Sequence, residues 1–170
     1  MLNKKIEKAI NAQITEEVFS AHIYLSMSSW FETQNLKGFA NWMYIQYQEE
    51  LTHAMKFFKY INERGGQGII DAIKKPDTDW KNPVLALKET LKHEEFITKK
   101  INDLVSLARQ EKDYATENML SWYVTEQVEE EKNATDILNE LNMIGESKTA
   151  LLILDKQLGT RVFVDSTQKA

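Results

Sequence analysis

Four glutamates, Glu17, Glu50, Glu94 and Glu130, stand on the apolar faces of four amphipathic stretches, at positions where leucine is expected. An ionised carboxylate inside a helical core costs several kcal/mol unless it is paired or bound to a metal. Four of them at matching depth therefore call for a shared cation. Two divalent ions neutralise four carboxylates, which makes a paired metal centre the chemistry these residues suit.

The registers carry the argument. In the last long stretch Leu120, Tyr123, Gln127, Glu130, Ala134, Ile137, Leu141 and Ile144 keep the alternating three-and-four spacing of an inward face, interrupted by Gln127 and Glu130. In the second, Phe39, Met43, Gln46, Glu50, His53, Phe57 and Ile61 share one register around a Glu-x-x-His. Residues three apart lie about 60° apart around a helix, so Glu50 and His53 can face one point. Glu17 and Tyr24 are two turns apart on a face that also carries Ile10, Ile14, Ala21, Leu25 and Ser28. Glu94 falls among Leu87, Leu91, Thr98, Ile101, Val105 and Ala108. One Glu-x-x-His is weak evidence; four interruptions in four helices are not explained by a single register error.

Not every polar residue has equal standing. Gln127 is a neutral amide and a weaker ligand, and Tyr24 suits a hydrogen-bond or electron donor better than a permanent ligand. Glu49, Glu126 and Glu129 form a looser group beside the first, which spacing allows equally to be a third cation site bridged by Glu130 or a solvated acidic face. His22 and His93 fall outside the inward registers and are expected at the surface. The four tryptophans are read as packing residues, with Trp122 near enough to Glu126 to serve as an electron donor.

The elements that must position these residues are helices. Glycine is scarce, only two prolines occur, and no stretch has a strand pattern. The predicted fold is all-α, with long helices at about 4–34, 38–64, 83–111 and 115–143, a short one at about 147–158, and a polar tail over 161–170, in a single domain spanning 1–170. Gly65-Gly66 stops the second helix, and Asn82-Pro83 starts the third with an asparagine cap and proline at its first position. Each long helix is roughly 40 Å, and the linker between the second and third can extend about 60 Å. Two short loops and one long crossover imply a four-helix bundle of two antiparallel hairpins. The fifth helix is apolar nearly all round at Ala150, Leu151, Leu152, Ile153 and Leu154, so it needs neighbours, and oligomerisation is expected.

Composition narrows the function classes. At 170 residues and a net charge of −5, the chain lacks the basic stripe of nucleic-acid binders. With no cysteine there are no disulfides or thiolate metal sites, leaving imidazole and carboxylate as strong ligands. Neither a signal peptide nor a transmembrane span is evident, so a cytoplasmic location is expected, with no membrane partner.

Glu17 with Tyr24, Glu49-Glu50-Leu51-Thr52-His53, His93-Glu94 and Glu126-Gln127-Val128-Glu129-Glu130 together resemble the motifs of the ferritins, specifically the bacterial non-haem ferritins. The resemblance runs from the first helix through the fifth. It implies a ferroxidase centre with one iron on Glu17, Glu50 and His53, a second on Glu50, Glu94 and Glu130 with Gln127 close by, and a third site on Glu49, Glu126, Glu129 and Glu130. It also implies an iron store, a homo-oligomeric shell of twenty-four subunits with fifth helices at its four-fold axes, and Fe(II) with dioxygen or peroxide as substrates. Bacterioferritin has a second Glu-x-x-His where this chain has Gln127-x-x-Glu130, and a haem-ligating methionine where it has Leu51; no haem is expected. A peroxidase or oxidase on the same fold is the rival enzyme reading, although without cysteine no rubredoxin module can be attached. A structural bundle with an acidic core is the rival outside catalysis.

Overall fold

The computed structural model describes residues 2–168. Its long helices are α1 (Lys4–Thr33), α2 (Lys37–Glu63), α3 (Pro83–Gln110) and α4 (Tyr114–Ile144), followed by the short α5 (Lys148–Leu158) and a 3₁₀ turn at Ser166–Gln168. Among the described residues there is no strand. Side-chain caps begin four of the five helices: Asn3, Asn82, Asp113 and Ser147 each accept from a backbone N–H in the first turn, and Pro83 occupies the first helical turn of α3.

The crossover from Arg64 to Asn82 runs along the whole of α1. Asn11 donates to the Gln67 carbonyl and accepts from the Ile69 N–H. Farther along, Lys74 lies over the Phe19 ring, Ser26 donates to the Asp77 carbonyl, and the buried Trp80 packs edge-on against Trp30. This carries the chain back up the bundle, so α3 starts beside the start of α2 and runs antiparallel to α1. The result is two antiparallel hairpins joined by the crossover, a four-helix bundle with α5 at one end.

The apolar core is in two parts. One gathers Met27, Phe31, Phe39, Trp42, Leu141 and Leu154 toward the α5 end; the other gathers Ile6, Ile10, Phe57, Ile61, Ile101 and Leu120 at the opposite end. Each fully buried side chain of this size contributes about 1.5–3 kcal/mol by leaving water. The layer between the two parts is polar, and the four glutamates lie in it.

Two expectations are corrected here. Leu25 is exposed, because it lies a residue beyond Tyr24 and rotates away from the core. On α3 the deeply buried set is Leu87, Thr90, Glu94, Ile97, Ile101, Leu104 and Ala108, while Leu91, Thr98 and Val105 are only half-buried. Both stripes share every seventh residue, and packing against α1 and α4 selects the other intermediate positions. Of the polar tail expected over 161–170, positions 169–170 lie outside the described residues; in the rest, Arg161 and Ser166 bond to residues of α2 and α4.

Candidate metal centre

The α-helical period delivers one set of polar side chains per helix to the middle layer. Glu17, Glu50, Glu94 and Glu130 are 1%, 2%, 1% and 4% exposed, so the alternative in which they face solvent is excluded. His53 and Gln127 are buried with them. Among the described residues, ligand atoms lie within 4.8 Å of one another in two groups, Glu17 with Glu50 and His53, and His53 with Glu126 and Glu130. The imidazole belongs to both: its Nδ1 is 3.6 Å from Glu50 Oε2 and its Nε2 is 3.6 Å from Glu126 Oε1.

Neutral amides complete part of the polar layer. Gln13, one turn before Glu17, donates to Glu17 Oε1 at 3.0 Å, and Gln46, one turn before Glu50, donates to Glu130 Oε2 at 2.8 Å. Glu94 has both oxygens engaged, Oε1 by the Tyr24 hydroxyl and Oε2 by Gln127 Nε2 at 3.2 Å. It is therefore beside the two groups but in neither. Glu17 Oε2, Glu50 Oε2 and His53 Nε2 are buried without any hydrogen-bond partner. Native interiors rarely leave such atoms unsatisfied. Glu50 Oε2 faces the imidazole Nδ1 and His53 Nε2 faces Glu126, so the unsatisfied atoms fall to both groups, and nitrogen and oxygen donors of this kind suit divalent cations.

The electrostatics agree. Burial, then repulsion from Glu50, pushes Glu17 up to about 8; burial, then Glu130, does the same to Glu94; and burial, then Glu50, does so to Glu130. Glu50 is raised by burial as well. Burial pulls His53 down, but the Glu126 and Glu50 carboxylates outweigh it and hold the imidazole well above its usual range. Without a cation, protons stand in for the positive charge.

Of the outer group, Glu126 lies with His53 and Glu130. Glu49 is turned to Arg161, whose Nη2 donates to its Oε2 at 2.7 Å. Glu126 accepts from Ser166 at 2.9 Å, and Glu129 is exposed and joins neither group. His22 is exposed, as its register implied. His93 is a correction: it is half-buried, its Nε2 is 2.8 Å from Ser20 Oγ, and it meets the edges of Phe19 and Tyr24. Burial, with Lys74 nearby, lowers it to about 4. Trp122 stands edge-on to His53 at 5.4 Å, with Lys56 over its face. The one-turn offset of Gln13 from Glu17 is a signal that could find it, whereas Gln46 stands on the α2 register but its partner Glu130 is on another helix. No period places Arg161.

Comparison with known proteins matches this arrangement to one family. The family model for the ferritin-like domain matches residues 7–144. A probable bacterial non-heme ferritin-like protein of Haemophilus influenzae is 41% identical over 94% of this chain and 96% of its own, and a bacterial non-heme ferritin of Staphylococcus aureus is 38% identical over 96% and 98%. Among solved structures, an open-pore ferritin of the archaeon Archaeoglobus fulgidus superposes with a TM-score of 0.94 at 50% identity, covering 95% of this chain and 100% of that one. A closed form of that ferritin, engineered by site-directed mutagenesis, gives 0.95 at 49%, covering 96% and 100%. Near full-length similarity to these proteins, on a bundle whose buried carboxylates meet in one layer, makes this chain a member of the ferritin family.

Proposed function

We propose that the protein stores iron, and that it oxidises Fe(II) at the buried centre before Fe(III) passes to a mineral inside an oligomeric shell. The observation that carries this reading is the trio of orphaned atoms, Glu17 Oε2, Glu50 Oε2 and His53 Nε2, in a layer with too much negative charge for its burial. Relatives named bacterial non-heme ferritins support the storage role.

In this reading Fe(II) enters as substrate. Glu17, Glu50 and His53 hold one ion, Glu50 bridges, and Glu94 and Glu130 hold the second through lone pairs that their present hydrogen bonds leave free. Gln127 keeps Glu94 oriented, and Tyr24 keeps a proton on its hydroxyl because burial and Glu94 raise it far above its usual range. Hard carboxylate oxygens favour Fe(III) over Fe(II). Two ferrous ions lose one electron each; dioxygen takes both with two protons to give hydrogen peroxide, or peroxide takes them with two protons to give two waters. Glu49, Glu126 and Glu129 form the outward route for a third ion. The site needs no haem, in line with Leu51 beside Glu50.

Exposed apolar side chains support the shell. Leu152 and Ile153 on α5 are 53% and 64% exposed, and Val128 and Met143 are exposed on α4. Copies of the chain cover these faces in a homo-oligomer of twenty-four subunits located in the cytoplasm. No helix among the described residues is long and apolar enough to cross a membrane. The deciding experiment is anaerobic Fe(II) titration followed by aeration and particle sizing. Two buried ions per subunit, rapid oxidation and retained mineral in a large particle support the reading. Peroxide turnover without retained iron would favour the rival enzyme.

A further inference from the structure

We propose that Arg161, on the segment beyond α5, is a positioning residue for the metal centre, acting through the Gln46 amide to decide which oxygen of Glu130 stays open to a cation. The proposal rests on the reading of the buried layer as a metal centre. Gln46 is fully buried, so both ends of its amide must be satisfied by protein. A guanidinium carries only donors. Arg161 Nη1 donates to Gln46 Oε1, so the amide nitrogen must face the other way, where it donates to Glu130 Oε2 at 2.8 Å. Turning the amide over would put donor against donor at Arg161 and acceptor against acceptor at Glu130. Arg161 therefore commits Oε2 of Glu130 to a hydrogen bond and leaves Oε1 for a ligand bond.

Arg161 is itself anchored from several directions. Its Nη2 donates to Glu49 Oε2 at 2.7 Å, its guanidinium lies 5.0 Å over the Trp42 ring, and its carbonyl accepts from Asn41 Nδ2 at 3.1 Å. The fork thus spans Gln46, which faces the centre, and Glu49, which faces its outer side. A planar fork can hold two acceptors at once in a way an ammonium cannot.

The test is an anaerobic titration of the assembled full-length protein with Co(II), following stepwise binding by calorimetry and visible absorption in wild type, Arg161→Ala, Arg161→Lys, Gln46→Met and the Arg161→Ala/Gln46→Met double variant. Removing a side chain that orients a metal ligand weakens metal binding by about ten- to a hundredfold. That loss is expected in Arg161→Ala at the position using Glu130, with the Glu17, Glu50 and His53 position unchanged. Arg161→Lys, which still donates to Gln46, is expected to recover most of it. In the Gln46→Met background Arg161→Ala should cost nothing further, since residues acting through one another are not additive. If Arg161→Ala does not assemble, Gln46→Met must still show the selective loss while Arg161→Lys does not. Equal losses in both backgrounds, or wild-type binding in Arg161→Ala, overturn this proposal alone. Wild-type protein that takes up no Co(II) in the buried layer overturns it together with the reading of the centre.

Discussion

The Asp155 carboxylate caps a helix to which it does not belong. From α5, its Oδ1 accepts from the backbone N–H groups of Gly38 at 2.8 Å and Phe39 at 3.0 Å, at the start of α2, where Leu36 provides no side-chain cap. The close approach requires glycine: a Cβ at position 38 would stand 1.5 Å from the Asp155 carbonyl oxygen. A negative charge at this N-terminus also complements the helix dipole. Asp155→Ala is expected to cost about 1 kcal/mol, in the range of lost caps, and Gly38→Ala more, since α5 must leave its seat. Thermal unfolding and particle dissociation measure both; an unchanged midpoint in Gly38→Ala would contradict the docking.

His53 belongs to both ligand groups and Glu50 lies in the first with its Oε2 3.6 Å from the imidazole, so Glu50→Ala and His53→Ala should abolish rapid iron oxidation while leaving the helices folded. The loss should exceed the roughly hundredfold upper end for residues that only orient ligands. Stopped-flow absorbance with circular dichroism decides this; wild-type rates in either variant would remove the residue from the site.

Cations and protons compete for the same oxygens. With Glu17, Glu94 and Glu130 raised to about 8, divalent binding at pH 7 should expel protons, and affinity should fall on acidification. In the metal-free protein these folded groups hold protons that the unfolded chain releases above about 4.5, so this contribution to stability falls as pH rises from about 4.5 to about 8. Bound metal removes that slope. Calorimetry in buffers of differing ionisation heat counts the protons, and a count of zero would refute the assignment.

Tyr24→Phe keeps the ring and deletes the hydroxyl that donates to Glu94 Oε1. Glu94 then keeps only the Gln127 donor, and binding at its position should weaken by about tenfold, the lower end for lost orienting groups. Folding should be unaffected. Metal titration of the assembled variant checks this, and unaltered binding and oxidation would show that the hydroxyl plays no part.

On α5, Ile153→Asp places a charge on a face that is exposed in the single chain. It should leave the bundle folded and reduce the particle to smaller species. Size-exclusion chromatography with light scattering tests this; an intact large particle would show that subunits do not meet there.

Much of the centre was legible because helical period is a local property. Glu50 and His53 share a face whatever else the chain does, and the sequence around Asn82-Pro83 states its own helix start; the asparagine does accept from Leu85 N–H at 2.9 Å. The same logic failed where a neighbouring helix chose between adjacent stripes. Ile97 and Leu104 lie deeper than Thr98 and Val105 because α1 and α4 bear on that side of α3. The expectation of a surface His93 fails for a related reason: a residue off the inward stripe is covered when α1 brings Ser20 and Phe19 against it.

From the order of residues alone came the helices, the crossover and the depth of four carboxylates, since each depends on spacing within one stretch of chain. Only the folded molecule decided which buried atoms are left without partners, that Glu49 is tied to Arg161, and that Asp155 caps the start of α2. Those contacts join residues more than a hundred positions apart. No periodicity records such a pairing, because it is set by how rigid helices pack and where the chain beyond α5 comes to rest.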